Sequence, residues 1–281
     1  MAQRSFGAAG RAVAVIGQGT WYIEEASRRE AVASLRRGIE LGLTHIDTAE
    51  LYGSGRAEEV VAEAIAGLRE RVFVVSKVLP QNASRTGTIK ACESSLRRLK
   101  TDRLDCYLLH WRGSYPLEET IAAFEDLSQD GKILSWGVSN FDVDDLEEAL
   151  SIAGSGRIAC NQVLYHLKER TIEHEVIPWC EREGVAVVGY SPFGHRNFPD
   201  PGSDGRRVLA DIAKAHGATS RQAALAFLTR LEALFTIPKA ARIQHTEENA
   251  EALALRLSAD EIAAIDAAFP LGPKRRSLPM I

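Results

Sequence analysis

Four residues that can move or stabilise a proton follow three apolar runs of the sequence. Asp47 ends the first run and Tyr52 comes five residues later, while Lys77 ends the second run and His110 ends the third. Continuous apolar runs of this kind are typical of buried parallel strands. The ends of parallel strands meet at one edge of a sheet. The sequence therefore predicts an acid, a phenol, an amine and an imidazole around one cavity.

Together, these four groups could deliver a proton to a carbonyl oxygen. A tyrosine phenol has a pKa of about 10, and the nearby ammonium of Lys77 would lower it. Asp47 would hold that ammonium, and His110 would donate to the carbonyl oxygen and orient it. The set contains neither a nucleophile with an adjacent base nor a metal-ligating cluster. No side chain supplies a hydride, so reduction of the carbonyl would need a cofactor.

The elements that must position these residues alternate between strand and helix along the chain. Eight apolar runs predict strands, and a helical apolar pattern follows each of them. We therefore predict an α/β fold, a (β/α)8 TIM barrel, with a doubly wound open sheet as the alternative. The predicted strands span residues 13–16, 43–47, 72–78, 104–109, 133–138, 158–164, 185–190 and 234–237.

Helices are predicted from apolar residues at helical spacing and from capping residues. Asp142 is a plausible N-cap for one helix, and the sequence from Ser258 to Glu261 is a capping box that opens the last. Before the last helix, the predicted helices span residues 28–41, 58–68, 86–99, 117–127, 143–150 (the one with Asp142 as N-cap), 172–183, 208–215, 220–231 and 246–255.

Composition limits the kinds of protein that this chain can be. No linker or composition break divides the 281 residues, so we expect a single domain over residues 1–281. The net charge of −4 argues against a nucleic-acid partner. The four cysteines form no CxxC pair, which is typical of reduced core cysteines in a cytoplasmic protein. We find no signal peptide or membrane-length apolar run, and expect a soluble, cytoplasmic protein with no membrane partner.

Three segments lie outside the strand and helix pattern. Gly17 and Gly19 follow the first predicted strand and allow close backbone approach or positive φ. Because Tyr22 stands where GxGxxG has its third glycine, a Rossmann phosphate loop is not supported. Residues 193–205 predict a long polar loop. The tail over residues 270–281, with three prolines and a Lys-Arg-Arg run, predicts a surface segment with solvated basic side chains.

Seven segments, in order along the chain, carry a resemblance to a known family. They are residues 46–52, 75–77, 108–110, 136–140, 161–162, 190–192 and 237–239. Each segment alone is a weak signal, but all seven at barrel spacing are highly specific. With them the sequence resembles the aldo-keto reductases, and within that family it is most similar to the short bacterial branch that reduces methylglyoxal and other small aldehydes.

The resemblance implies NAD(P)H-dependent reduction of carbonyls on a barrel without a Rossmann fold. It makes Tyr52 the general acid, Lys77 the residue that tunes its pKa, Asp47 the partner of Lys77, and His110 the group that orients the carbonyl. The implied partner is a small aldehyde or ketone similar to methylglyoxal. A monomer is the commoner state in the family.

The resemblance also implies a dinucleotide site at the same edge of the barrel. Ser139, Asn140 and Gln162 would hold the nicotinamide carboxamide. Tyr190 would stack on the nicotinamide ring, with core packing as the alternative, and the segment from Ser191 would open a loop over the pyrophosphate. The remaining implied cofactor contacts are Gly19, Thr20, Trp21, Asp47, Pro192, Phe193, Ile237, Lys239, Ala240, His245, Glu248 and Asn249.

Two residues depart from the family pattern at the adenosine end. Ala240 replaces a usual serine or threonine, and His245 stands where an arginine often binds the 2′-phosphate. Arginine carries a permanent bidentate charge, whereas histidine is largely neutral at pH 7. Arg242 is nearby and could substitute. Because Lys239 remains, the expected cofactor is NADPH, and use of NADH stays open.

The predicted substrate pocket is apolar and open, and it is formed by Trp21, Tyr22, Leu51, Trp111 and Phe193. The segment after Trp111 and the tail are both short, which predicts broad tolerance for small aldehydes. Two other functions stay open. One is a nucleotide-binding regulatory barrel with little turnover, and the other is a hydrolase or aldolase in which the Lys77 amine forms a Schiff base.

Overall fold

The structure is a computed structural model that describes residues 3–194, 198–200 and 202–281. It begins with an antiparallel hairpin of two short strands, β1 (Gln3–Ser5) and β2 (Ala12–Ala14). Eight further strands form one parallel sheet in which spatial order follows chain order. These strands are β3 (Gln18–Gly19), β4 (His45–Asp47), β5 (Phe73–Val78), β6 (Cys106–Leu109), β7 (Trp136–Ser139), β8 (Ile158–Leu164), β9 (Ala186–Tyr190) and β10 (Leu234–Thr236).

Helices form the connections that parallel strands require. Each strand of the sheet is followed by one or two α-helices. The α-helices are α1 (Arg28–Glu40), α2 (Arg56–Ile65), α3 (Arg85–Leu99), α4 (Leu117–Gln129), α5 (Val143–Ala153), α6 (Val176–Glu183), α7 (Asp204–Ala215), α8 (Ser220–Leu228), α9 (Ile243–Glu251) and α10 (Ala259–Ala268).

The first and last strands of the sheet meet, so the sheet closes into a barrel. Parallel bridges join Ile16 to Thr236 and Gly19 to Lys239. A Cβ atom on Gly19 would lie 2.5 Å from the carbonyl oxygen of Ile237, so glycine is needed for this close approach. The closure confirms the predicted (β/α)8 barrel and excludes the open doubly wound sheet.

The first predicted strand, residues 13–16, is wrong in its position. Half of that run, Val13 and Ala14, belongs to β2 of the hairpin, and the strand of the barrel is β3, a few residues later. The run is apolar because the hairpin covers the bottom of the barrel. Between its strands, Phe6 is completely buried, with its ring centroid 5.0 Å from those of Phe73 and Phe235.

Helix and strand boundaries also differ from the predictions at several places. The helix predicted over residues 172–183 begins at Val176, after a separate 3-10 turn. The helix predicted over 220–231 ends at Leu228, and the strand predicted over 133–138 is β7. Turns with apolar residues continue the pattern of their neighbours, and so sequence periodicity does not show where the regular hydrogen bonds end.

The predicted caps are confirmed by side-chain hydrogen bonds. The Asp142 carboxylate accepts from the backbone N–H of Asp145 at the start of α5. Ser258 and Glu261 form a reciprocal capping box at the start of α10. The predicted loop over residues 193–205 includes residues 195–197 and 201, which lie outside the described residues.

All four cysteines are buried and unbridged, as the sequence indicates. Within the described ranges, no helix combines the length and the apolar character that a bilayer span requires.

One buried polar side chain at the bottom of the barrel has no hydrogen-bond partner among the described residues. His45 on β4 is completely buried, and neither ring nitrogen has a partner among the described residues. Its ring instead makes edge contacts with Phe6 and Phe73, at centroid distances of 5.5 and 5.7 Å. Burial, and secondarily the charge of Lys77, lowers the pKa of His45 from 6.5 to about 3.

This shift predicts a loss of stability in mild acid that depends on His45. The unfolded state binds the proton below a pH of about 6.5, whereas the folded state resists it until the pH nears 3. The stability contributed by neutral His45 is therefore present above pH 6.5 and is lost as the pH falls, by up to ~1.4 kcal/mol per pH unit. Urea unfolding of wild type and His45→Leu between pH 7.5 and 5 should show a shallower decline for the variant. Parallel curves would contradict the assignment.

Candidate active site

Alternation along the strands delivers three of the predicted catalytic residues to the top of the barrel. On β5, Phe73 and Val75 belong to the apolar cluster inside the barrel, and Lys77 follows them at the same spacing of two. On β6, Cys106 and Leu108 belong to that cluster in the same way. The next position in the series is His110. On β4, the same spacing takes His45 to Asp47.

The ammonium of Lys77 lies at the centre of these groups. The side chain is fully buried, and its Nζ donates to Asp47 Oδ1 at 2.5 Å, to the Thr48 carbonyl at 2.9 Å and to Tyr52 Oη at 3.2 Å. An ammonium has three protons, and so all three are used. Burial alone would lower the pKa of Lys77, but Asp47 and Tyr52 raise it above its usual value. The amine is therefore charged at neutral pH.

Hydrogen bonds hold both the carboxylate and the backbone carbonyl of Asp47. Its Oδ2 accepts from Gln162 Nε2 at 2.7 Å, and its carbonyl oxygen accepts from Thr20 Oγ1 at 2.9 Å. The carboxylate is as buried as Lys77, with 1% exposure. A buried ion pair is stable only where further hydrogen bonds satisfy the remaining polar atoms. Gln162 and Thr48 provide those bonds here.

Tyr52 reaches this pair from a tight turn after β4. The turn, Tyr52–Gly55, contains left-handed backbone at Gly53 and Ser54. The Tyr52 ring lies 5.8 Å from that of His110 at an angle of 76°. The sequence predicts a lowered pKa for the Tyr52 phenol, but the net shift of this pKa has the opposite direction. Burial raises the pKa of Tyr52 above its usual value and Lys77 opposes only part of this, so the phenol is protonated at neutral pH.

His110 is a neutral imidazole in this site. Burial, followed by the charge of Lys77, lowers its pKa to about 2. Its Nδ1 is buried and has no hydrogen-bond partner among the described residues. The Asn140 Nδ2 donates to the His110 carbonyl at 3.1 Å, which ties the loop after β6 to the loop after β7. A neutral imidazole can donate one hydrogen bond without adding charge to the cavity.

These side chains face one cavity of about 350 Å³ at the top of the barrel. Three of the four predicted catalytic residues line it directly, and Lys77 lies just beneath. Among the predicted cofactor and substrate residues, those that line the cavity are Gly19, Thr20, Trp21, Asp47, Leu51, Trp111, Ser139, Asn140, Gln162, Tyr190, Ser191, Ile237 and Lys239.

One wall of the cavity is a connected set of amides and hydroxyls. Ser139 Oγ donates to the Gln162 carbonyl at 2.8 Å, and Asn140 Nδ2 lies 3.2 Å from Ser139 Oγ. Tyr190 Oη donates to Asn140 Oδ1 at 2.9 Å. Asn140 has a left-handed backbone, with a φ of 60°. A planar carboxamide has both a donor and an acceptor, and this wall offers the groups to match them.

Some predicted residues lie outside the cavity. Tyr22 stacks on Trp21 with ring centroids 4.7 Å apart and is 48% exposed at the rim. Pro192 is buried, and Phe193 packs on Phe198 at 5.7 Å, away from the predicted substrate pocket.

The four predicted adenosine contacts lie on or just before α9, also outside the cavity. Ala240 precedes the helix, and His245, Glu248 and Asn249 lie on it. Glu248 Oε1 accepts from Thr219 Oγ1 at 2.5 Å, and Glu248 Oε2 lies 3.7 Å from His245 Nδ1. His245 is exposed and Glu248 is half-buried, whereas Asn249 is buried.

The last two residues of the chain also line the cavity, which the sequence does not predict. The tail that carries Met280 and Ile281 does follow the surface, and its three basic side chains are exposed as predicted, although two of them pair with carboxylates. Lys274 pairs with Glu175 at 2.5 Å, and Arg275 pairs with Glu169 at 2.8 Å. Charge complementarity of this kind is not visible in a linear sequence.

Arg112, which follows Trp111 in the sequence, pairs with a carboxylate on α5. Its guanidinium makes two hydrogen bonds to Glu148, at 3.0 and 2.8 Å. Among the residues that the structure describes, no group of three or more histidine, cysteine, aspartate or glutamate side chains is arranged to hold a metal ion.

Comparison with known proteins agrees with this geometry. The model of the Aldo/keto reductase family matches residues 15–269, which include the whole barrel sheet and the cavity apart from the tail. The chain belongs to the aldo/keto reductase family. It is therefore an oxidoreductase, and the resemblance noted in the sequence is confirmed.

Similar proteins support the same assignment over nearly the full length. The chain is 49% identical to methylglyoxal reductase YeaE of Escherichia coli, over 95% of this chain and 94% of that protein. It is 33% identical to a glyoxal reductase of Bacillus subtilis, over 89% and 87%. A crystal structure of an aldo-keto reductase from Klebsiella pneumoniae with NADPH superposes with a TM-score of 0.92 at 45% identity, and each chain is covered completely.

Buried charge pairing in this aldo-keto reductase predicts a large effect of Asp47→Asn on stability. The substitution would leave the Lys77 ammonium buried without its counter-ion, which typically costs about 3–5 kcal/mol. Urea unfolding at pH 7 should show this loss, and Lys77→Met in the same chain should recover part of it. The exposed pair between Arg85 and Asp126 is the control, because Asp126→Asn should change the unfolding free energy little. Equal effects at Asp47 and Asp126 would contradict the buried pair.

Proposed function

We propose that this protein reduces small aldehydes and ketones similar to methylglyoxal to alcohols, using NADPH, with Tyr52 as the general acid. The observation that carries the proposal is the position of Tyr52 Oη, 3.2 Å from the Lys77 ammonium, at a cavity with an amide-rich wall. The similarity to a protein named methylglyoxal reductase supports the substrate class.

The donor set fits a nicotinamide dinucleotide. Ser139, Asn140 and Gln162 would hold the carboxamide, and the ring of Tyr190 would provide the stacking surface. Reduced nicotinamide, when bound, supplies the hydride that no side chain can provide. Two similar Klebsiella pneumoniae structures are complexes with NADPH and with NADP, and this supports the same cofactor here.

NADPH is favoured over NADH at the adenosine end, because Lys239 is exposed beside the cavity and Arg242 is exposed at the N-cap of α9. A lysine ammonium and an arginine guanidinium can each pair with a 2′-phosphate. His245 adds a third group on the same helix. The Glu248 carboxylate, which accepts from Thr219, would remain available for the adenine end through its other oxygen.

The side chains divide the proton transfer between them. Tyr52 gives its proton to the alkoxide that develops on the substrate, and the Lys77 ammonium stabilises the resulting phenolate. Asp47 holds that ammonium in place. His110 stays neutral and donates to the carbonyl oxygen, which positions it near the phenol.

The two other functions receive less support from the site. A Schiff-base lysine must be a neutral amine, whereas the pKa of Lys77 is raised by its two partners and all its protons are donated. A regulatory barrel would not need a protonated phenol beside a buried ammonium. The apolar side of the cavity, formed by Trp21, Leu51 and Trp111, instead suits a small organic carbonyl compound.

We propose further that residues 1–281 act as a single domain and as a monomer in the cytoplasm, without nucleic acid. The continuous barrel supports the single domain, and the net charge of −4 argues against a nucleic-acid partner.

Removal of the Tyr52 hydroxyl should abolish most turnover but spare cofactor binding. Tyr52→Phe keeps the ring that packs near His110 and removes only the proton donor. General acid catalysis contributes typically 10²–10⁴-fold, so a loss of kcat in that range is expected. Initial rates with methylglyoxal measure the loss, and fluorescence titrations with NADPH and NADH give the two dissociation constants.

The same measurements separate the competing functions. Wild type that binds NADPH tightly but reduces no aldehyde of a small panel would support the regulatory barrel. A Tyr52→Phe variant with wild-type turnover would remove Tyr52 from the role of acid. Tighter binding of NADH than of NADPH would overturn the cofactor preference.

The pH dependence should distinguish reduction from oxidation. Because burial raises the pKa of Tyr52 above its usual value of about 10, the proton needed for reduction is present throughout the neutral range. The rate of aldehyde reduction should therefore be flat from pH 6 to 8 and fall only in strong base. Alcohol oxidation needs the phenolate and should rise with pH over the same span. No inflection from His110 is expected, since its pKa is about 2.

A further inference from the structure

Two carboxylates lie on either side of Tyr52 in the chain, outside the catalytic set. Glu50 comes two residues before the phenol and is half-buried. Glu58 comes six residues after it, on α2, and is completely buried. Burying a carboxylate is costly unless donors satisfy its oxygens. The donors that bind these two side chains therefore indicate what each carboxylate stabilises.

Glu50 binds the segment that follows Lys77. Its Oε1 accepts from the backbone N–H of Leu79 at 2.7 Å and from Asn82 Nδ2 at 3.0 Å. Leu79 comes two residues after Lys77, just beyond the end of β5. The backbone N–H of Glu50 also donates to the Lys77 carbonyl at 3.4 Å. The chain that leads into Tyr52 is thus fixed to the chain that leaves the lysine.

Glu58 binds the residue that precedes Lys77. Its Oε1 accepts from Ser76 Oγ at 2.6 Å, and both side chains are completely buried. Its Oε2 accepts from the guanidinium of Arg98 on α3. That guanidinium packs on the turn before α2, because a Cβ atom on Gly55 would lie 2.5 Å from Arg98 Nε. The far end of the turn is thus fixed to the strand that carries the lysine.

We propose that Glu50 and Glu58 are positioning residues that together set the contact between the Tyr52 hydroxyl and the Lys77 ammonium. This inference rests on the function proposed above. Each carboxylate joins the chain on one side of the phenol to a residue beside the lysine. Neither is a catalytic residue, because neither is among the residues that line the cavity.

The turn that carries Tyr52 needs such support because its backbone is unfavourable. Gly53 and Ser54 both have a φ of 56°, and a serine keeps left-handed backbone only where its surroundings hold it. The electrostatic effect of Lys77 on the phenol falls as their separation grows. A turn that relaxed would therefore weaken the stabilisation of the phenolate and misplace the proton donor.

Glu50→Ala tests the first contact, and Glu50→Gln is its matched variant. Both hydrogen bonds use one oxygen, so the amide oxygen of glutamine can accept them and should restore activity. A misplacement of 1 Å can cost about 100-fold in rate, so kcat for methylglyoxal should fall roughly 10- to 100-fold in Glu50→Ala. The Kd for NADPH should stay within about twofold of wild type, because no contact to the cofactor is removed.

Ser76→Ala tests the second contact and keeps the pair between Glu58 and Arg98. It should lower kcat and leave the Kd for NADPH unchanged, as Glu50→Ala does. Glu63→Gln is the control on the same helix, because Glu63 is exposed and pairs with Arg28. Its kcat should equal that of wild type. Thermal unfolding of each variant checks that the barrel is intact, and if Glu50→Ala does not fold, Ser76→Ala decides by the same measurements.

The pH profile of alcohol oxidation distinguishes positioning from a general loss of stability. Oxidation needs the phenolate, so its rise with pH follows the pKa of Tyr52. Burial raises this pKa and Lys77 opposes part of the rise, so a more distant ammonium leaves it higher still. The profiles of Glu50→Ala and Ser76→Ala should therefore move about 0.5–1 pH unit upwards, and that of Glu63→Gln should not move. The other titratable groups that face the phenol are unchanged in these variants. They are Lys77, Asp47, His110 and Tyr190.

The outcomes separate this inference from the proposed function. If wild type reduces methylglyoxal while Glu50→Ala and Ser76→Ala keep its kcat and pH profile, positioning by the carboxylates is wrong and the proposed function stands. A lower kcat without a shift of the pH profile, an effect at only one of the two contacts, or an equal loss in Glu50→Gln would also overturn it. If wild type neither binds NADPH nor reduces aldehydes, both proposals are overturned.

Discussion

The buried ion pair between Lys77 and Asp47 is the interaction on which the rest of the site depends. Moving both charges out of water is costly, and only close contact with several further hydrogen bonds offsets that cost. The closed barrel provides this arrangement because three neighbouring strands and one strand across the cavity point their side chains to the same place. Gln162 comes from β8 to reach the Asp47 carboxylate. An open sheet would not bring the Gln162 amide to the far side of the ion pair. The hydrogen bonds that stabilise the pair therefore depend on the closure of the barrel.

Local backbone strain is concentrated around the same cavity. Five residues other than glycine have positive φ among those described, and four of them are in the loops at the top of the barrel. Such backbone costs of order 1–3 kcal/mol per residue and persists only where the surroundings hold it. At the site it turns the phenol towards Lys77 and the amide towards the cavity. The four residues are Tyr22, Ser54, Asn140 and Ser191.

Much of this arrangement is visible in the sequence, and the rest is not, for physical reasons. Apolar runs that end in Asp47, Lys77 and His110 predict the barrel and its polar edge, because a period of two and a strand end together fix where a side chain points. The apolar run at residues 13–16 wrongly predicts the first strand of the barrel, because the hairpin that covers the bottom of the barrel is as apolar as a barrel strand. The net pKa of Tyr52 is missed because it depends on burial, which competes with the expected effect of Lys77. The positions of Met280 and Ile281 at the cavity are missed because they join segments far apart in the sequence, which no local pattern shows.

Burial gives the two proton-handling groups opposite shifts that favour one direction of reaction. The phenol of Tyr52 is kept protonated because its charged form is the anion, and His110 is kept neutral because its charged form is the cation. The same low-dielectric environment thus keeps Tyr52 and His110 uncharged. Lys77 keeps its positive charge because the Asp47 carboxylate lies beside it. The Lys77 ammonium then lies beneath two neutral donors. Negative charge that develops on a carbonyl oxygen would meet both donors and the cation together, whereas an alcohol would first need a base that the site withholds at neutral pH. On this physical ground, the site is better arranged for reduction than for oxidation.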